Sequence, residues 1–117
     1  MFSFLRRRRR RPQEHRQRTI VFVHEQDGPV EKQLKLALLP HLRSAGVRRA
    51  YLARVHYGNL TSYEVALCLI TNPEPALVAR VGEVFAQLFG RDSHLDILFP
   101  SADQEARLAE VCQPFFS

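Results

Sequence analysis

The chain has 117 residues, of which 45% are apolar and 25% charged, and its formal net charge is +5. This length and composition predict a single globular domain with its own hydrophobic core. No segment approaches the roughly 20 apolar residues that span a bilayer. The apolar residues ahead of the first arginine are too few for a secretory signal. We therefore expect a cytoplasmic protein.

The positive charge is concentrated at one end of the chain. Residues 1–18 contain eight arginines and one glutamate, a net charge of +7, whereas residues 19–117 carry a net charge of −2. Like charges at this density repel one another and bury nothing. Residues 1–18 are therefore predicted to be a disordered arginine-rich tail, and residues 19–117 to be the folded domain.

The first half of the domain predicts a strand, a helix and a second strand. Residues 19–24 are β-branched and aromatic, which favours a strand. Asp27 is a predicted helix N-cap, and Pro29 suits the first turn that follows. Apolar residues then recur every fourth position, and Pro40 is expected to kink this helix or end it early. Residues 47–57 alternate in polarity as a strand does.

The second half predicts a strand, a helix, a strand and a last helix. Residues 63–71 form a strand that only five residues separate from the one before, which predicts a β-hairpin. A helical pattern then runs to Gly90, and residues 94–99 are a fourth strand. Ser101 and Gln104 have the spacing of a capping box for the last helix.

This order of elements predicts an α+β fold. It matches the ferredoxin-like β-α-β-β-α-β plan, an antiparallel sheet with two helices on one face, with an additional C-terminal helix. The sheet face opposite the two main helices is then predicted to hold Ala50, Leu52, Ala66, Cys68 and Ile70. That face is too apolar to be left in water, and the short last helix is expected to cover only part of it. A homodimer, sheet against sheet, is the expected cover.

No residue pattern indicates an active site. The chain contains no GxGxxG, GxxxxGK[ST] or HExxH motif. Cys68 lies in the middle of a strand, where nothing would lower the pKa of its thiol. Asp92, His94 and Asp96 alternate as metal ligands can, but Asp92 falls in a turn and Asp96 is expected to face solvent. We expect no catalytic residue, no metal and no cofactor.

The arginine tail has the clearest physical meaning. Arginines bind polyanions through phosphate pairing and the release of counterions. Phe2, Phe4 and Leu5 add an apolar tip that would suit an anionic membrane surface; nucleic acid and a tail without any partner are the alternatives. Three tyrosines could stack bases, but the net acidic domain counts against this use. The predicted polyanion contacts are Arg6, Arg7, Arg8, Arg9, Arg10 and Arg11. The predicted interaction face comprises Leu52, Arg54, His56 and Ile70.

Four segments resemble the C-terminal domain of the SseB (enhanced serine sensitivity) family. They are residues 50–53 (AYLA), the apolar strand 65–70, residues 95–97 (LDI) and the closing residues 114–116 (PFF). The resemblance covers residues 19–117, but the N-terminal domain usual in the family is replaced here by the arginine tail. It implies a bacterial, intracellular module without established catalytic residues.

The sequence therefore predicts a non-catalytic protein-interaction module of the SseB C-terminal type that associates with itself, with a further protein partner left unidentified. The alternative is a peripheral adaptor at the inner membrane surface, in which the tail contacts anionic lipid or nucleic acid. Loss of function on deletion of residues 1–18 would favour the adaptor.

Overall fold

The computed structural model describes residues 20–58 and 63–117, and they form one four-stranded sheet with three helices. The predicted tail, residues 1–18, lies outside the described residues. The order of elements is the predicted one, and none of the three helices is long and apolar enough to cross a membrane. The elements are β1 (Ile20–Glu25), α1 (Pro29–Ser44), β2 (Arg49–Tyr57), β3 (Tyr63–Ile70), α2 (Pro75–Phe89), β4 (Asp96–Leu98) and α3 (Ala102–Ala109).

The sheet does not have the predicted ferredoxin-like layout. Its strand order is β1-β2-β3-β4, with β1–β2 and β2–β3 antiparallel and β3–β4 parallel. In a split βαβ unit the two parallel strands joined by a helix are separated by another strand. Here β3 and β4, which α2 connects, are direct neighbours, so the chain forms a mixed sheet. The α/β composition was predicted correctly, and the arrangement of the strands was not.

Helix α1 differs from its prediction at the N-cap, and it does not end early at Pro40. Gly28 is the N-cap residue, and Asp27 instead contacts Lys35 at 3.1 Å. Pro40 does not end the helix, which continues to Ser44. A proline removes one backbone hydrogen bond, and here α1 continues through it because Leu38 and Leu42, on either side, are both completely buried.

Two hydrophobic clusters fill the two faces of the sheet. One lies between the sheet and the pair α1 and α2, and we call that side the α1–α2 face. The other lies between the sheet and α3, on the α3 face, where Leu108 and Cys112 are buried against the strands. The sheet is therefore the middle layer of three, which explains why strands β2 and β3 are apolar on both faces.

The predicted orientation of β2 is wrong by one residue. Leu52 lies opposite Leu67 and Ala53 opposite Ala66, and paired residues point to the same side of a sheet. Leu52 and Ala50 therefore belong to the α1–α2 face. The five residues predicted to form an uncovered face are divided between the two clusters and are all buried within one chain: Ala50, Leu52, Ala66, Cys68 and Ile70. The apolar patch that motivated the homodimer is thus already covered.

The C-terminal part of the chain is fastened to β2. Glu105 on α3 accepts two hydrogen bonds from the Arg49 guanidinium, at 2.5 and 2.9 Å, and one from the Tyr51 hydroxyl at 2.8 Å. The Phe115 N–H donates to the Ala50 carbonyl at 2.9 Å, and the closing phenylalanines pack against the α1–α2 cluster. The terminal Pro-Phe-Phe therefore docks on the domain itself.

We expect Glu105→Gln to destabilise the domain at neutral pH by on the order of 1 kcal/mol, because the neutral amide loses the charge-assisted pair with Arg49 and is a weaker acceptor for the Tyr51 hydroxyl. The hydrogen bond from Arg49 holds the pKa of Glu105 below its ordinary value of 4.5. A lowered pKa stabilises the fold above the unfolded pKa, and this contribution is lost as the pH falls through the folded pKa. Denaturant melts should show a difference from the native chain that shrinks below pH 4.5. A difference independent of pH, or an equal one in the exposed control Glu110→Gln, would contradict this.

Candidate functional site

Helices α1 and α2 do not cover one end of the sheet on the α1–α2 face. Along β2, Ala50 and Leu52 are completely buried on this face, whereas Arg54 and His56 are only half-buried. On the neighbouring strand Tyr63 is 47% exposed. The helices therefore cover the half of the face where β2 begins and leave the half where it ends accessible. We call this surface the open sheet end; its residues are Val21, His24, Arg54, His56 and Tyr63.

Strand pairing brings the five residues of the open sheet end together. Val21 lies opposite His56, His24 opposite Arg54, and His56 opposite Tyr63. Because residues opposite each other share a face, all five side chains belong to the same side of the sheet. A β-bulge between Phe22 and His24 adds one residue to β1, and the pairing with β2 resumes at His24.

Tyr63 is in contact with two potentially cationic side chains. The Arg54 guanidinium carbon lies 5.8 Å from the centre of the Tyr63 ring, and the rings of His56 and Tyr63 are 5.3 Å apart at an interplanar angle of 56°. Arginine over an aromatic face is a favourable cation–π arrangement. The open sheet end contains no acidic residue, although residues 19–117 as a whole are net acidic.

The arginine-rich segment joins the domain beside this surface. Ile20, the first residue of β1, pairs with Tyr57, and the next residue pairs with His56. Residues 1–19 are therefore attached to the domain at a residue that adjoins the open sheet end. The polyanion contacts predicted at residues 6–11 lie outside the described residues.

The four residues of the predicted interaction face do not lie on one surface. Leu52 and Ile70 are 1% and 4% exposed and lie in opposite hydrophobic clusters, so neither reaches the surface. Arg54 and His56 do reach it and lie on one face. The error follows from the orientation of β2, which placed Leu52 on the wrong side of the sheet.

His94 and Asp96, considered above as metal ligands, are joined by a direct hydrogen bond. The Asp96 carboxylate is buried, and it accepts from His94 Nε2 and, at 2.7 Å, from the Tyr57 hydroxyl. The expectation that Asp96 faces solvent is therefore wrong. Among residues 20–58 and 63–117 no group of three or more histidine, cysteine or acidic side chains is arranged to hold a metal ion.

The two cysteines are free thiols in the cluster on the α3 face. Burial raises the pKa of the Cys68 thiol far above its ordinary value, and burial raises that of Cys112 to about 11. Both thiols are therefore protonated at neutral pH, the form that is neither nucleophilic nor metal-binding.

Sequence reasoning missed two features. The first is the exposure of Tyr63, which depends on where the helices end, and no local sequence pattern reports this. The contact between Tyr57 and Asp96 joins residues 39 positions apart, and only the register of the strands brings them together. The polar Arg54 and His56 at the end of an otherwise apolar strand were the one available signal for the open sheet end.

Comparison of the chain with protein-family models, with curated proteins and with solved structures finds no match. The likeness to the SseB C-terminal domain therefore remains a resemblance of short motifs.

Proposed function

We propose that this protein is a non-catalytic interaction module that binds single-stranded nucleic acid. In this proposal the open sheet end contacts the bases, and the arginines of residues 6–11 contact the phosphates. The observation that carries it is Tyr63, about half exposed at the open sheet end and flanked by Arg54 and His56.

The chemistry of this surface suits unpaired bases. An exposed aromatic ring on a sheet offers a flat stacking surface, and stacking contributes about 1–3 kcal/mol per base without regard to sequence. The guanidinium of Arg54 lies over the Tyr63 ring and carries a positive charge beside it. Duplex DNA is a poorer fit, because its bases are accessible only through the grooves.

The arginine segment would supply most of the affinity in this proposal. Each phosphate that an arginine neutralises releases condensed counterions, so binding should weaken steeply with salt. Since the segment enters the domain next to His56, one strand could contact both the segment and the open sheet end. In this proposal the ligand of the adaptor is single-stranded nucleic acid rather than any polyanion.

Fluorescence anisotropy with a labelled poly-dT oligonucleotide tests the proposal. Tyr63→Ala should weaken binding by about 5-fold to 100-fold, which corresponds to the loss of one stacked base. Arg54→Gln should also weaken it, whereas Arg43→Gln is the matched control, because Arg43 is an exposed arginine in the last turn of α1. Equal effects of the Arg43 and Arg54 substitutions would show that only net charge matters.

Anionic vesicles distinguish the membrane alternative. A full-length variant with glutamine at all six positions 6–11 should lose most binding to the oligonucleotide and most of its salt dependence. Vesicles of phosphatidylserine that bind the native chain more tightly than poly-dT, with no effect of Tyr63→Ala, would favour the membrane adaptor instead.

Self-association remains a second proposal, now on a different surface. Among the described residues β1 pairs with β2 alone, so its outer edge offers backbone groups to another strand. Val21 on this strand is 49% exposed. Two copies could join edge to edge about a two-fold axis. Sedimentation of the native chain and of Val21→Lys tests this; a dimer that the substitution dissociates would support it.

A further inference from the structure

A cleft lies between α2 and the segment that leads into β4, and it shares no residue with the open sheet end. Its volume is about 260 Å³. Val81 and Phe85 of α2 and Ile97 of β4 contribute apolar walls, while Arg91 and His94 stand among the lining residues on the connecting segment. No acidic residue lines the cleft.

A hydrogen bond to a buried carboxylate holds the polar side of the cleft in place. His94 Nε2 donates to Asp96, whose carboxylate is 3% exposed and also accepts from the Tyr57 hydroxyl. This buried carboxylate at the start of β4 fixes the orientation of the imidazole. Arg91 is exposed and adds a positive charge to the same lining.

The C-terminus of α2 repels a bound anion less than a helix C-terminus with unpaired carbonyls would. Unpaired carbonyls in the last turn of a helix carry partial negative charge. Here the Ala86 carbonyl accepts from the Gly90 N–H at 2.7 Å, and the Phe89 carbonyl accepts from the Ser93 hydroxyl at 3.1 Å. Two of these carbonyls are thus already satisfied.

We propose that this cleft binds a small organic acid. Its carboxylate would pair with Arg91 beside His94, and its apolar body would lie on Val81, Phe85 and Ile97. The size agrees with such a ligand, because a cavity of about 150 Å³ accepts benzene and drug-sized ligands occupy roughly 300 Å³ or more. An aromatic acid such as phenylacetate is of the right size and chemistry.

Titration of the full-length chain with phenylacetate, followed by ¹H–¹⁵N NMR, tests this proposal. We expect saturable shifts confined to residues 81–97, with a Kd of about 1 mM or below. Phenylacetamide, which keeps the ring and lacks the charge, should bind at least about 10-fold more weakly because it cannot form the charge-assisted pair with Arg91. Acetate, which lacks the ring, should also bind more weakly. Arg91→Gln should reduce the affinity for phenylacetate to that for the amide.

Gly82 allows the cleft to be filled without strain. A Cβ atom added to Gly82 would meet no heavy atom within 4 Å, and the residue both lines the cleft and lies inside α2. Gly82→Leu should therefore leave the spectrum of a folded protein and abolish the phenylacetate shifts. Ala79→Leu is the matched control, since Ala79 is an exposed residue of α2 outside the lining. The proposal is overturned if phenylacetate gives no saturable shift, if the amide binds equally well, or if folded Gly82→Leu binds like the native chain.

Discussion

Leu52→Glu is expected to abolish the cooperative folding of the domain. Leu52 is 1% exposed, lies in the interior strand β2 and packs in the cluster beneath α1 and α2. The substitution removes leucine packing that is usually worth about 2–5 kcal/mol, and it buries a carboxylate that has no cationic partner in that cluster. The total stability of a domain is only about 5–15 kcal/mol. Circular dichroism at neutral pH should show no cooperative thermal transition.

Leu36→Glu is the matched control for this experiment. Leu36 lies on the outer side of α1 and is 67% exposed, so its replacement should change the free energy of unfolding by no more than about 0.5 kcal/mol. A folded, soluble Leu52→Glu would contradict the register of β2 on β3. It would place Leu52 on an accessible surface, as the alternation in the sequence had suggested.

The elements of this fold could be predicted because their signals are local. Ser101 and Gln104 form the predicted capping box, with hydrogen bonds in both directions. Gly90 ends α2 with a positive φ of 85°, which other residues rarely adopt. Neither signal depends on what packs against the helix, which is why both positions were identified.

The orientation of β2 could not be predicted in the same way. Alternation identifies the two faces of a strand only when one of them is polar. In β2 the run from Ala50 to Ala53 is buried on both faces, because helices cover both sides of the sheet. The register of β2 on β3 then decides which side chains of β2 point to which face of the sheet. A shift of one residue moves every side chain to the opposite face. The order of the strands in the sheet is equally non-local. The hydrophobic pattern of β3 is the same whichever strand lies beside it, so the pattern does not specify its neighbours.

The residues of the candidate site that the sequence indicated differ in kind from those that it did not indicate. Arg54 and His56 were identified because charged residues are rare in a buried strand. Tyr63 became part of the site only through its pairing with His56, and the cleft depends on the connection between α2 and β4. Sites assembled across strands are therefore visible in a sequence only through their polar members.

Leu108→Ala should destabilise the domain by about 2–5 kcal/mol, the range for a leucine removed from a closed core. Helix α3 has eight residues, and Leu108 is its one buried side chain. It packs on the α3 face, where Tyr51, Val55 and Cys68 are buried. Because few apolar contacts hold α3, the loss of the Leu108 side chain should detach the whole helix from the sheet. The α3 face of the sheet would then be exposed to water. Chemical denaturation should show the loss in midpoint, and the exposed face should make the variant associate with increasing concentration.

Val111→Ala provides the comparison that makes this prediction specific. Val111 follows Leu108 by three residues, a spacing that would keep both on one face of a continuing helix, yet Val111 lies beyond the end of α3 and is 37% exposed. Its truncation should cost well under about 1 kcal/mol and cause no association. Sedimentation of the two variants side by side then tests the cover of the α3 face directly. If only Leu108→Ala associates, α3 is what keeps the apolar face of the sheet from serving as an interface; equal behaviour of the two would show that something other than α3 protects it.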